Sequence, residues 1–381
     1  MEILRTNPHE ACKKYEKRKK IINLVTQMEM GGAQKAAYLI CKELIRREYD
    51  AEIWFLYKKR PGYEKYGFVK CLYDKKPDNL IEFIRLLLKL FFWMKKARPE
   101  GVITYTHYAN IIGNLVALIA GISNRMATQH SPSWSYPHLA RLLDKLFGTI
   151  GVYTSNVYVS ESLAESFLNY PKSYKQRSRV IVNGLPTPKS SFDSKEKAKS
   201  YFGFSENTIV LSNVGRLSYP KNQLFLLQVI SNINDPDVVL VIAGEGELRM
   251  EIESEIYRRK LSDRVFLLGE LPYEKVCDLL LASDIFVFPS LYESFGYALV
   301  EAMMMGLPVI ASDIPAHREV VADAGILLSL DDLKEWCLKI ECLVRNENKR
   351  LELSKKAQLR SQVFELEKMV DGYLKTLFGL K

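Results

Sequence analysis

Two carboxylates, Glu293 and Glu301, stand eight positions apart around Ser294-Phe295-Gly296, where a strand pattern gives way to a helix pattern. The run Asp284-Ile-Phe-Val-Phe-Pro289 is rich in β-branched and aromatic residues and closed by proline, which predicts a buried strand. Tyr297 to about Met305 reads as a helix, ended by Gly306 and Pro308. The free backbone N–H groups of Phe295, Gly296, Tyr297 and Ala298 at such a helix start attract an anion, which suits a phosphate. Glu301 falls about one turn into the helix, where a carboxylate can hold two neighbouring sugar hydroxyls. Taken singly, Glu293 is also a helix-start carboxylate favoured by the dipole, and Glu301 a solvated helix glutamate. The apolar residues around Glu301 make the second bland reading costly, because a buried carboxylate needs partners. A phosphate cradle beside a hydroxyl-binding carboxylate describes a nucleotide-sugar site.

The elements that must hold these groups follow from the pattern of apolar runs. Ile21-Ile-Asn-Leu-Val-Thr26 predicts a buried strand, followed by Gly31-Gly32 and an amphipathic helix from about Ala33 to Arg47. A strand at Ala51–Tyr57, a helix near Leu80–Ala97, a strand at Gly101–Tyr105 and a helix over about Ala109–Ala120 come next. Short strands near Arg125–Thr128 and Val157–Ser160 close the first half. Asn183-Gly184-Leu-Pro186-Thr-Pro188 stiffens and turns the chain, and a second alternation runs from near Ile209 to about Leu328. Strands alternating with helices over this length predict two α/β domains, each with a parallel, doubly wound sheet. The expected division is a basic leader at 1–19, a first Rossmann-like domain at 20–183, and a second at 184–365. A charged helical tail ends in a helix at about 366–381.

These stretches resemble the retaining glycosyltransferases of the GT-B fold, glycosyltransferase family 4. The resemblance rests on Glu293 to Glu301, on Val210-Leu-Ser-Asn-Val-Gly215-Arg216 with Lys221 five residues on, on Val238 through Gly244-Glu-Gly246, and on Pro308-Val-Ile-Ala-Ser312. It implies two Rossmann-like domains facing a central cleft, with the last helix returning to the first domain. It implies that Glu301 binds the nucleotide ribose and that Glu293 lies near the transferred sugar. Gly31-Gly32 resembles the loop that lets the first domain approach the donor diphosphate, although Gln34 and Lys35 stand where that family often has a glutamate. His130 occupies the place of a histidine that contacts the sugar, and Leu271 that of a residue whose backbone meets the base. His107 is a weaker candidate for the acceptor side.

Breaking the bond between an anomeric carbon and a nucleoside diphosphate puts negative charge on the leaving group, which a catalyst must stabilise where it develops. No convincing Asp-x-Asp pair for a metal is present, since Asp235-Pro-Asp237 lies in a turn. The expectation is therefore metal-free catalysis, with Arg216 as a guanidinium fork and Lys221 as a mobile ammonium beside the helix start. Without the resemblance, each of those two is an ordinary loop charge.

The 381 residues, 48% hydrophobic and 26% charged, suit two globular cores. No apolar run reaches the roughly 18 residues needed to span a bilayer, and the polar, lysine-rich start carries no signal-peptide core. Six scattered cysteines read as reduced thiols in a cytosolic protein. The net charge of +9 asks for an anionic partner, and no nucleic-acid motif accompanies it. Expected partners are a UDP-sugar donor, a glycan or lipid-linked acceptor, and an anionic membrane touched peripherally on its inner face. The helix Arg85–Arg98, mixing basic and aromatic residues, reads either as a membrane-surface helix or as a core helix with snorkelling lysines. Two rival functions stay open: a nucleotide-sugar epimerase, which needs no acceptor, and a non-catalytic partner subunit that binds the nucleotide sugar. A phosphorylase has no supporting lysine motif.

Overall fold

The computed structural model describes residues 18–29 and 31–379; most of the expected leader (1–17), Met30 and the last two residues of the expected C-terminal helix lie outside them. The chain forms two compact units. The first runs to Tyr158 and takes in Ser166–Ile181 and the chain from Val370 onward; the second comprises Val159–Glu165 and Val182–Met369. The divisions thus fall at 181/182 and 369/370, where the sequence analysis set them at 183/184 and 365/366.

The first unit holds a seven-stranded parallel sheet in the order β3-β2-β1-β4-β5-β6-β7. Its strands are β1 (Lys20–Met28), β2 (Asp50–Lys58), β3 (Val69–Tyr73), β4 (Gly101–Tyr105), β5 (Asn124–Gln129), β6 (Ser155–Tyr158) and β7 (Ser178–Val180). β1 is central, with Ile21 opposite Ala51 of β2 and Gly101 of β4. Burial on both sheet faces explains why β1 and β4 read as continuous apolar runs instead of alternating ones. The helices Leu80–Ala97, His107–Ile119 and His138–Ile150 pack side by side, and Leu86, Leu90 and Met94 of the first of them meet Ile22, Leu24 and Trp54 of the sheet. Each such leucine contributes about 1.5–3 kcal/mol by leaving water. Of the chain's last helix (Leu366–Phe378), Val370, Tyr373 and Leu377 are buried in this unit, and Gly101 leaves the space that Leu377 fills. β3 and the helix His138–Ile150 have no counterpart among the elements expected from the sequence.

The second unit holds six parallel strands in the order β10-β9-β8-β11-β12-β13. They are β8 (Ile209–Val214), β9 (Val238–Ala243), β10 (Val265–Gly269), β11 (Ile285–Phe288), β12 (Val309–Ser312) and β13 (Ile326–Leu328). Leu211, Leu240, Ile242, Ile285 and Val287 build its core with Trp336 and Ile340 from the helix Leu333–Arg345. Both units are therefore the doubly wound, Rossmann-like folds that the alternation predicts. In such sheets a crevice opens at the carboxyl ends of the two neighbouring strands whose connections diverge. Those strands are β1 and β4 in the first unit, and β8 and β11 in the second.

Candidate functional site

At the crevice of the second unit, two loops meet. Gly215–Lys221 follows β8, and Ser290–Gly296 follows β11. The first is held by Gln223, whose amide donates to the Arg216 carbonyl at 3.0 Å, and by the Leu217 N–H, which donates to the Glu245 carbonyl at 3.0 Å. Gly244 makes this approach possible: its φ is +151°, and a Cβ there would lie 1.9 Å from the Gly215 carbonyl oxygen. The second loop is tied to the first by the Leu291 N–H, which donates to the Pro220 carbonyl at 2.8 Å. Residues far apart in sequence are thereby set on one small surface.

Lys221 and Glu293 form a direct ion pair, with the ammonium 5.3 Å from the centre of the Phe288 ring. Ser290 Oγ donates to the same Glu293 oxygen at 3.3 Å. Arg216 turns instead to Glu247, at 3.0 and 3.1 Å, where both side chains are about half exposed. An exposed pair of this kind contributes little, so the guanidinium is readily taken over by an incoming anion. The helix Tyr297–Met304 begins on Gly296, at φ +94°, and no side chain caps its first turn. The amides of Phe295, Gly296, Tyr297 and Ala298 thus lie where an anion is expected, while the Phe295 ring is buried against Tyr297 and Phe364.

Glu301 sits on the inner side of that helix, 3% exposed. Its neighbour is Tyr273, whose phenol is raised above its ordinary value by burial first and by the Glu301 carboxylate next. Leu271, two residues before Tyr273, packs against the cluster of Val210, Val239 and Leu279. Among the described residues, no group of three His, Cys, Asp or Glu side chains is placed to hold a metal ion.

His317 is a member of this site that the sequence analysis missed, since nothing in its spacing sets it apart. It is fully buried in the helix Pro315–Val321, against the Phe288 ring, and burial lowers its pKa to about 4. Nδ1 lies 2.8 Å from the Ser312 carbonyl, which can only accept, so Nδ1 carries the proton. Nε2 is then an acceptor, buried and without a partner. Both Glu293 and Lys221 act on this ring electrostatically.

The first unit places the other candidates at its own crevice. Gly31 and Gly32 follow β1 and start the helix Gly32–Arg46, with the Lys35 N–H donating to the Gly31 carbonyl at 2.9 Å. Gln34 is buried and donates to the Gln27 carbonyl at 3.1 Å. After β4 comes Thr106, at φ +73° and ψ 148°, a strained backbone for a residue with a side chain. Its hydroxyl lies 2.6 Å from that of Thr26. His107 follows, its ring tilted against those of Tyr108 and Tyr136 and its pKa lowered by burial. His130, just past β5, is buried beside Tyr105, and burial lowers its pKa to about 3. Thr128 gives its hydroxyl proton to the Thr104 carbonyl at 2.8 Å, so at 3.0 Å it is His130 Nε2 that donates to Thr128. His130, His317 and the half-buried His107 are therefore neutral near pH 7, suited to hydrogen bonding and not to supplying charge.

Beneath His130 lies a buried polar network. Gln129 reaches Asp144 at 3.2 Å and Asn156 at 3.0 Å, while Tyr174 and Tyr153 donate to Asp144 at 3.0 and 3.2 Å. Burial raises the Asp144 pKa to about 6 despite these donors. A carboxyl that is harder to ionise folded than unfolded holds a proton in the native state alone between its two pKa values. Its stabilisation is complete below about pH 4 and is lost as pH rises through 6, by up to ~3 kcal/mol. Asp144→Asn is accordingly expected to gain stability relative to the parent as pH is raised from 4 to 7, in chemical denaturation followed at each pH. A difference that stays flat over that range would show that Asp144 titrates normally.

Comparison with known proteins bears on this arrangement. Residues 194–360 match the family described as Glycosyl transferases group 1. The matched stretch lies within the second unit. The chain as a whole is 28% identical over 316 residues to a UDP-Gal:alpha-D-GlcNAc-diphosphoundecaprenol alpha-1,3-galactosyltransferase of Escherichia coli, covering 77% of this chain and 79% of that one. It is 24% identical over 377 residues to a Campylobacter jejuni alpha-1,4-N-acetyl-D-galactosaminyltransferase acting on an undecaprenol-linked glycan, covering 95% and 99%. Among solved structures, Anabaena HepE in complex with UDP and glucose superimposes with a TM-score of 0.82 at 20% identity, over 95% of this chain and all of that one. The fold is GT-B, as the resemblance implied. The loops Gly215–Lys221 and Ser290–Gly296 and the helix carrying Glu301 all fall within the group 1 glycosyl transferase match.

Proposed function

We propose that this chain is a retaining, metal-independent hexosyltransferase of glycosyltransferase family 4, taking a sugar from a UDP-sugar and passing it to a lipid-linked or glycan acceptor. One observation carries the reading: the Lys221–Glu293 pair stands at the second unit's crevice, before a helix start that no side chain caps. In the reaction the bond between the anomeric carbon and the diphosphate oxygen breaks, and its electron pair leaves with the diphosphate. Lys221, Arg216 and the amides of the helix start stabilise that charge, doing the work a metal does elsewhere. Glu293, released from Lys221 as the diphosphate arrives, holds sugar hydroxyls or balances positive charge at the anomeric carbon. Glu301 binds the ribose. With retention, the acceptor hydroxyl attacks on the face the diphosphate leaves, and its proton passes to a departing diphosphate oxygen.

The printed names of the Escherichia coli and Campylobacter jejuni relatives, both with undecaprenol-linked acceptors, support a lipid-linked acceptor in polysaccharide or glycoconjugate synthesis, capsule or lipopolysaccharide included. Such an acceptor would place the enzyme in the cytoplasm, peripheral to the inner face of a membrane. Among the described residues no helix is long and apolar enough to cross one. The test is thermal denaturation with a panel of UDP-, GDP- and ADP-sugars, where a ligand at a hundred times its Kd adds about 2.7 kcal/mol. A rise with UDP-sugars, EDTA-resistant transfer and an α-linked product from an α-linked donor are expected. No rise with any nucleotide would overturn the reading.

A further inference from the structure

The helices Leu80–Ala97, His107–Ile119 and His138–Ile150 lie side by side in the first unit. Two of them are apolar on the face turned to solvent. On the first, the core side is Leu86, Leu90 and Met94, yet Ile81, Ile84, Leu88 and Phe92 form a second stripe that is exposed, Ile81 by 64%. On the third, the buried residues are Ala140, Asp144 and Gly148, while Leu139, Leu142, Leu146 and Ile150 stand outside, Leu139 by 68%. Both stripes step by three, four and four residues, the spacing of one continuous helix face. The usual amphipathic order is thus reversed on the third helix, whose one acidic residue is inside and whose leucines are outside.

Charge says what covers this face. The three helices carry Arg85, Lys89, Lys95, Lys96, Arg141 and Lys145, against Glu82 and the buried Asp144. A second copy of the chain would bring the same excess of positive charge against itself. An anionic bilayer meets both requirements: acyl chains take the apolar stripes, and lipid phosphates take the basic side chains, whose long stems reach up to the headgroups. We propose that this helix layer docks the protein on an anionic lipid surface. The inference rests on the membrane-peripheral part of the proposed function, which it deepens by naming the surface, and it uses no residue of the donor site.

The experiment is co-sedimentation of the full chain with phosphatidylcholine vesicles and with vesicles that also contain phosphatidylglycerol. The parent is expected to bind the mixed vesicles at least tenfold more tightly, and less so in high salt. Leu142→Glu with Leu146→Glu, and separately Ile84→Glu with Leu88→Glu, are each expected to lower binding at least tenfold. Melting temperature and its shift with UDP serve as controls for folding and for the donor site, and both should stay at parental values. Parent that ignores both vesicle types, or variants that bind like the parent, would overturn the proposal. So would a dimer in light scattering that the glutamate pairs dissociate without any vesicle binding, which would assign the face to a second copy.

Discussion

Lys221→Met is expected to lower kcat by roughly 100- to 1,000-fold, the loss typical when one donor to developing negative charge is removed. UDP affinity should fall much less, because Arg216 and the uncapped helix start remain to hold a ground-state diphosphate. The split matters, since losing a group that acts only on the transition state lowers kcat, whereas losing one that binds ground and transition states equally raises KM and leaves kcat unchanged. Methionine fills the space of the lysine stem over Phe288 but leaves the largely buried Glu293 without its counter-ion. A second variant, Glu293→Gln, separates that effect by keeping the ammonium while abolishing the ion pair. If Lys221→Met turned over within about threefold of the parent, the ammonium would not be stabilising the leaving group.

The second large effect is on binding. Glu301→Ala should weaken UDP by about 10- to 150-fold, since hydrogen bonds to a charged group each contribute roughly 1.5–3 kcal/mol. The parent should also prefer UDP to 2′-deoxy-UDP by a factor of that order, and the variant should lose the preference. The pair of ligands and the pair of proteins form a cycle in which only a direct carboxylate–hydroxyl contact gives a large coupling. Tyr273 beside Glu301 sharpens the design, because truncation leaves its phenol without the carboxylate, and that loss affects both ligands alike. Calorimetry in which Glu301→Ala binds UDP as the parent does would remove the ribose role.

Much of the second unit was legible from the chain because its signals are local. A strand that ends in Gly215-Arg216, a Gly-x-Gly turn, and a strand that runs into a helix at Gly296 each need only neighbouring residues to declare themselves. Gly244 shows why such a signal is dependable: the close approach of two loops admits no side chain, so the residue type records the tertiary contact. The first unit was harder. Its helix His138–Ile150 places leucines outside and an aspartate inside, so the usual equation of apolar with buried has no purchase there.

By itself, the sequence determined that two doubly wound sheets form, which loops end at their crevices, and which cations and carboxylates those loops carry. Only the tertiary structure decided how these groups pair. Lys221 meets Glu293 across 72 positions and Arg216 meets Glu247 across 31, so neither contact follows from periodicity. Charge states belong to the same category. His130, His317 and Asp144 look like ordinary titrating residues in one dimension, and it is their removal from water by distant packing that keeps all three neutral below their ordinary ranges or above them. Chain-local geometry is written in neighbouring residues, whereas solvation and ion pairing are properties of the space that remote segments enclose.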